Sequence, residues 1–304
     1  MIAALTRVAG RTQTTASALL ARAADYYDLG KPRIMYLLLA TTAASMIMAA
    51  RGIPSPSLLF WTLLGGALAA MSAGTLNCVY DSDIDRLMSR TALRPIPAGR
   101  MTIFAATTHA CVMGILSFAI FYLRVNHLAA WLSLGGNVYY VVLYTMLLKR
   151  RTPQNIVIGG AAGSIPPLVG WAAVHNAIGA PAIGLFAIIF LWTPPHFWSL
   201  ALMTETDYEK AGVPMLPNVY GERRTRIEIL IYTIVLVAAS LLLYYPLHVM
   251  GPLYAAAAAV LGAVFIFDAV RVLHERRGAA RATFLYSLTY LALICSFMVL
   301  DRIF

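Results

Sequence analysis

Asn77, Asp81 and Asp85 recur at intervals of four in the stretch NCVYDSDIDRLMSRTALRPIPAGR, which runs from Asn77 to Arg100. On a helix that spacing puts an amide and two carboxylates on one face. Side by side at the end of an apolar run, the carboxylates repel each other and lose hydration. A hard divalent cation between them removes the conflict. Mg2+ suits such a set, because it takes one or two carboxylates and fills its shell with oxygens of a bound phosphate. Arg86, Arg90, Arg94 and Arg100 follow directly and suit the anion such a metal brings. The plain alternative is a solvated loop in which these acids and bases simply pair.

The elements that must position this set are membrane helices. Of the 304 residues, 60% are hydrophobic and 12% are charged, and mean hydropathy is +0.74. Soluble domains are about 45–50% apolar. Apolar runs of roughly 18 residues or more recur along the chain. The pattern predicts an all-α polytopic membrane protein of nine transmembrane helices, at 33–50, 58–78, 101–121, 127–147, 154–173, 180–202, 228–247, 251–271 and 283–301. With that count, all but three of the 23 Lys and Arg residues fall on one side of the membrane. The exceptions are Arg51, Arg124 and Arg302. By the positive-inside rule the N-terminus is then cytoplasmic.

Residues 1–30, with Arg7, Arg11 and Arg22, read as a cytoplasmic lead on the membrane surface, or else a transit peptide. Residues 31–304 read as one transmembrane domain. The net charge of +10 does not point to nucleic acid, because the basic residues sit in short loops. Cys78, Cys111 and Cys295 lack metal-ligand spacing and read as packing residues.

A second acidic stretch, TETDYEKAGVPMLPNVYGERR, lies four spans further on, on the same side. Asp207 there is a candidate metal ligand, and Tyr208 and Lys210 are candidate phosphate contacts. Gly212, Pro214 and Pro217 predict a shaped loop over the site. Just before it, in LWTPPHFWSLAL, Pro194 and Pro195 are expected to disrupt the sixth span. His196 follows them in an apolar stretch. An ionisable group at that depth is a candidate functional residue, as axial ligand, proton acceptor or pocket lining, although a lone His is often only a satisfied core residue.

In LKRRTPQNIVIGGAAGSIPPLVGW, Thr152 and Pro153 read as N-cap and first residue of the fifth span. Lys149, Arg150 and Arg151 stand at its mouth, as Lys31 of LGKPRIM stands at that of the first. Topology alone accounts for these charges, and diphosphate binding would use them again. Gly159, Gly160 and Gly163 flatten one helix face, for close packing or a flat ligand. Asp268 is expected to pair with Arg271.

Together these stretches resemble the UbiA superfamily of membrane prenyltransferases. RRTPQNIVIGGAAG and PPHFWSLAL resemble, within it, the branch that prenylates heme. The resemblance implies nine helices around a central cavity. It implies that Asn77, Asp81 and Asp85 bind Mg2+–diphosphate, that Arg94, Lys149 and Arg150 stand near the diphosphate, and that Asp207 falls in a second motif. Quinone-type members carry more aspartates in that second motif. This chain has His196, Thr204 and Thr206 around Asp207, which implies a different acceptor.

The implied reaction moves the farnesyl group of farnesyl diphosphate to a vinyl group of heme B, giving heme O, in a bacterial inner membrane or a mitochondrial one. Heme A synthase or terminal-oxidase assembly are the implied partners. Competing readings are a UbiA-type enzyme with a quinone precursor or chlorophyllide as acceptor, a transporter, and an oxidase assembly subunit. A transporter needs polar residues along a through-path, whereas here the charges crowd onto one face.

Overall fold

A computed structural model describes residues 17–304. Helix α1 occupies residues 17–29. It is followed by α2 (Pro32–Ala50), α3 (Pro56–Tyr80), the short α4 (Ser82–Asp85), α5 (Ile103–Ile120), α6 (His127–Val138), α7 (Asn155–His175), α8 (Ala180–Met203), the short α9 (Glu205–Lys210), α10 (Leu216–Leu242), α11 (Pro252–Leu273) and α12 (Ala279–Ile303). Segments of π-helix extend α5 through Phe121–Val125 and α6 through Tyr139–Leu148. Among the described residues nine helices are long and apolar enough to cross a membrane. The protein is a multi-pass, all-α membrane protein. The lead's Arg7 and Arg11 lie outside the described residues.

Local chemistry explains where the spans begin. Proline fits the first helical turn, where an N–H would have no partner. It stands there in α2, α3, α8, α10 and α11. Side chains cap three starts: Ser55 accepts from Leu58 N at 3.3 Å, Thr102 from Ala105 N at 3.2 Å, and Asn126 from Ala129 N at 2.9 Å.

Three sequence expectations are corrected here. Pro194 and Pro195 do not break α8, which is continuous. Membrane helices tolerate proline in this way when they are packed among neighbouring helices, and both prolines are buried in the bundle. Pro217 does not keep its segment out of helix, because it sits in the first turn of α10. The break in α10 comes instead at Gly221, where φ is 80°. Finally, the N-cap of α7 is Gln154 and not Thr152, although the Thr152 hydroxyl accepts from Gln154 N at 3.2 Å in the turn leading into the helix.

Cross-chain contacts sort the connectors onto two ends of the bundle. At one end Lys31 meets Asn77, Arg150 meets Asp83, Ser89 meets Asp207 and Arg226 meets Glu275. At the other, His175 meets Ala49 O, Asn126 meets Ala172 O and Asp301 meets Gly251 N. This alternation requires an odd number of crossings between α2 and the C-terminus, as the sequence count predicts.

Helices α7 and α8 are the most buried spans, 56% and 61% by residue, and α6 the least, at 6%. So α7 and α8 form the spine, and α6 faces outward. The largest apolar cluster joins α8, α10, α11 and α12 around Leu185, Trp192, Phe265 and Tyr290. Asp268 pairs with Arg271 at 2.8 Å as expected. The three cysteines are free, Cys78 and Cys295 buried and Cys111 exposed.

Candidate active site at the basic face

The acidic face is built by a helix that bends without losing register. Asp81 caps α3 and its N–H donates to Asn77 O at 2.9 Å. Asp85 N donates to Asp81 O at 2.8 Å in α4. Two successive i,i+4 bonds stack the three side chains, and all are buried: Asn77 is 2% exposed, Asp81 0% and Asp85 1%. Thr91 Oγ1 closes the loop behind them by donating to Asp85 O at 2.9 Å.

Of the predicted basic residues, Lys31, Arg94, Lys149 and Arg150 reach this face or its rim. Lys149 pairs with Asp81 Oδ2, and Lys31 donates to Asn77 Oδ1. Arg94 bonds Asp85 at 2.6 Å. Arg150 grips Asp83 with two bonds of 2.7 and 2.8 Å and lies 3.6 Å from Asp81 Oδ1. Arg100 turns away to Asp25 at 2.9 Å. Burial lowers the Lys31 ammonium below the usual lysine value, against the pull of Asp81 and Asp85. The Arg150 hydrogen bond holds the Asp83 carboxyl below its usual value.

One residue the sequence did not single out completes the face. Asn77 Nδ2 donates to Asp81 Oδ2 at 2.9 Å and to Thr145 Oγ1 at 3.0 Å. Thr145 lies in the π segment, and Lys149 N bonds back to Tyr144 O at 2.8 Å just after it. π-Helical turns often mark functional sites. The available signal was the one threonine in the apolar run YYVVLYTMLL, four residues before Lys149.

The second motif meets the first through the α4–α5 connector. Asp207 accepts from Ser89 Oγ at 2.7 Å, and this bond lowers its carboxyl below the usual range. Among the described residues, no three His, Cys, Asp or Glu side chains lie close enough together to hold a metal, so Asp207 does not join Asp81 and Asp85. Tyr208 is buried with Ile84, Met88 and Val213 beneath α4.

The residues present fit a divalent cation that takes few protein ligands. Asp81 Oδ1 is buried and has no hydrogen-bond partner. Arg150 stands 3.6 Å from it, too far for a hydrogen bond, so its lost hydration is compensated only in part, and a metal cation supplies the rest. Lys31 must leave Asn77 Oδ1 before that oxygen is free to take part.

His196, on α8, is 8% exposed and stacks between Trp192 and Phe284. Its neighbour Phe197 packs on the Ile84–Met88–Tyr208 cluster. Gly159 lies against the Tyr144 ring and Gly160 against Thr193, while the Gly163 face has nothing within 4 Å.

A family model described as the UbiA prenyltransferase family matches residues 38–294. A curated relative from Nostoc sp., named protoheme IX farnesyltransferase, is 54% identical over 281 residues, covering 92% of this chain and 88% of that one. One of the same name from Microcystis aeruginosa is 53% identical over 283 residues, covering 92% and 90%. Among solved structures, a digeranylgeranylglyceryl phosphate synthase matches with a TM-score of 0.76 at 19% identity, covering 92% of this chain and 98% of that one. A UbiA homolog from Archaeoglobus fulgidus bound to DMAPP and Mg2+ matches at 0.61 and 16%, covering 88% and 99%. The structural likeness shows a shared fold. The family match extends over most of the bundle and includes the stacked Asn77, Asp81 and Asp85, so the chain belongs to the UbiA prenyltransferase family.

Proposed function

We propose that this protein transfers the farnesyl group of farnesyl diphosphate to a vinyl group of heme B, with addition of water, to give heme O and diphosphate. The observation that carries the donor half is the buried Asn77–Asp81–Asp85 face with an Asp81 oxygen that accepts no hydrogen bond. The acceptor is supported by relatives named protoheme IX farnesyltransferase at 53–54% identity over 92% of the chain.

Asp81, Asp85 and Asn77 hold Mg2+, which when bound stabilises the negative charge of the departing diphosphate. Support for the metal also comes from the Archaeoglobus fulgidus homolog, whose structure holds Mg2+ and DMAPP. In the ligand-free state Arg94, Lys149 and Arg150 neutralise the carboxylates while Lys31 bonds the Asn77 amide oxygen, and all four turn to the diphosphate oxygens when it binds. Asp207 anchors the α4–α5 connector through Ser89 and so sets where Arg90 and Arg94 stand. Tyr208 supports α4 from below.

The allylic carbon–oxygen bond breaks as the vinyl carbon attacks. The apolar bundle keeps water from the allylic cation until the new bond has formed. Water then adds beside the porphyrin ring and releases a proton. His196 stands on the acceptor side. The basic face lies in the cytoplasm, with the N-terminus, and the membrane is the bacterial inner membrane. The product is more apolar than heme B and passes within that membrane to heme A synthase or to oxidase assembly.

Purified protein given farnesyl diphosphate and heme B should yield a product heavier than heme B by a farnesyl group and a hydroxyl, and EDTA should stop it. No such product would sink the acceptor reading, and turnover untouched by EDTA would sink the metal.

A further inference from the structure

The His196 ring is held on both faces, at one edge and at Nδ1. Trp192 stacks on one face at 4.3 Å and 18°, and Phe284 on the other at 4.7 Å and 24°. Phe197 meets its edge at 5.2 Å. This sandwich stops the ring from turning. Its Nδ1 lies 2.7 Å from Ser287 Oγ, and Ser287 Oγ lies 2.6 Å from Phe284 O. A hydroxyl has one proton, and a carbonyl only accepts. Ser287 therefore donates to Phe284 O and accepts from His196 Nδ1–H. Any other assignment leaves two oxygens 2.6 Å apart with no proton between them. The neutral ring then keeps its lone pair on Nε2, which bonds to none of the described residues. Trp192 Nε1 donates to Ser287 O at 2.7 Å and ties α12 to α8 at this point. Metal-ligating imidazoles are held in the same way, their other N–H donated to a fixed oxygen.

We propose that Ser287 is a positioning residue, which locks the tautomer and angle of His196 so that Nε2 offers its lone pair to the iron of heme B. The proposal rests on the acceptor reading above. Phe197 ties this part of α8 to the wall beneath the acidic face, so the iron ligand and the farnesyl donor are carried by packed elements. Ligation forms one iron–nitrogen bond and moves no proton, because the proton stays on Nδ1.

Two measurements test this. Nitrogen-15 NMR of histidine-labelled protein, with the signal assigned by its loss in His196→Gln, should show His196 protonated on Nδ1. In Ser287→Ala it should move toward the other tautomer. Titration with ferric heme B, followed by absorbance, should show a nitrogen-ligated spectrum in the wild type. Ser287→Ala should bind heme roughly tenfold more weakly, with a shifted Soret band. Its KM for farnesyl diphosphate should not change, and Ser287→Thr should restore the wild-type band. A wild-type ring protonated on Nε2 overturns the proposal. So does a Ser287→Ala protein with wild-type heme affinity and spectrum, or one whose heme and farnesyl diphosphate affinities fall together with thermal stability. Wild-type protein with the Nδ1–H tautomer but no heme O product refutes the acceptor, and the iron ligation with it, while the serine relay stands.

Discussion

Lys149 and the proposed metal would share one carboxylate, Lys149 on Asp81 Oδ2 and the metal on Oδ1. Asp81 is fully buried, and the Lys149 side chain is 16% exposed. Two charges at that depth lose much of their hydration, and their attraction repays it only in part. The pair therefore adds little net stability. In the proposed mechanism it holds Asp81 in place until metal and diphosphate arrive. Asp81→Asn retains the shape and removes the charge. Turnover should fall by about 100-fold or more, while membrane insertion and the thermal midpoint stay near wild type. Turnover close to wild type in that variant would remove Asp81 from the metal role. Lys149→Met keeps the apolar stem and removes the competitor. Half-maximal Mg2+ should drop several-fold, and kcat/KM for farnesyl diphosphate should drop about tenfold, the size of one charge-assisted bond of about 1.4 kcal/mol. An unchanged Mg2+ requirement would show that Lys149 does not guard the metal position. The acidic face was legible beforehand because Asn77, Asp81 and Asp85 share one helix and obey its period. Thr145 and Ser287 were not, because they reach their partners from 68 and 91 residues away. No local spacing encodes such contacts.

The π segment Tyr139–Leu148 and helix α7 act as one element at the site. Gly159 lets them touch: a Cβ there would lie 2.2 Å from Tyr144 Cδ2. Tyr144 is next to Thr145 and accepts from Lys149 N, so pushing it away shifts two groups that hold the acidic face. Gly159→Ala should cost about 1–3 kcal/mol, as overpacking does, and raise KM for farnesyl diphosphate. Gly163, one turn on, has nothing within 4 Å. Gly163→Ala should leave the thermal midpoint unchanged. If both variants melt alike, the packing account of Gly159 fails. Of the glycine readings from sequence, close packing holds at Gly159 and Gly160, and open space lies beside Gly163. The proline readings failed for a physical reason. They treated Pro194, Pro195 and Pro217 as breakers in water, whereas first turns and membrane helices tolerate proline.

At the scale of the whole molecule, charge is sorted to the two ends of one bundle. Arg226, Arg276, Arg277 and Arg281 lie with the acidic face at the basic end, whereas Asn126, His175 and Asp301 tie the other end together. Nine crossings were legible because apolar length and basic loops each report topology, and the two agree. The proposed orientation rests on the same charges and can be read chemically. Ala177 is exposed in the α7–α8 connector and Arg277 in the α11–α12 connector, at opposite ends. In a cysteine-free background, Ala177→Cys should react with a membrane-impermeant maleimide in intact cells. Arg277→Cys should react only in inverted vesicles. The opposite pattern would put the acidic face on the outer side, away from cytoplasmic farnesyl diphosphate. Labelling of both from one side would mean that the number of spans between them is even, which the contacts joining the connectors at each end do not allow.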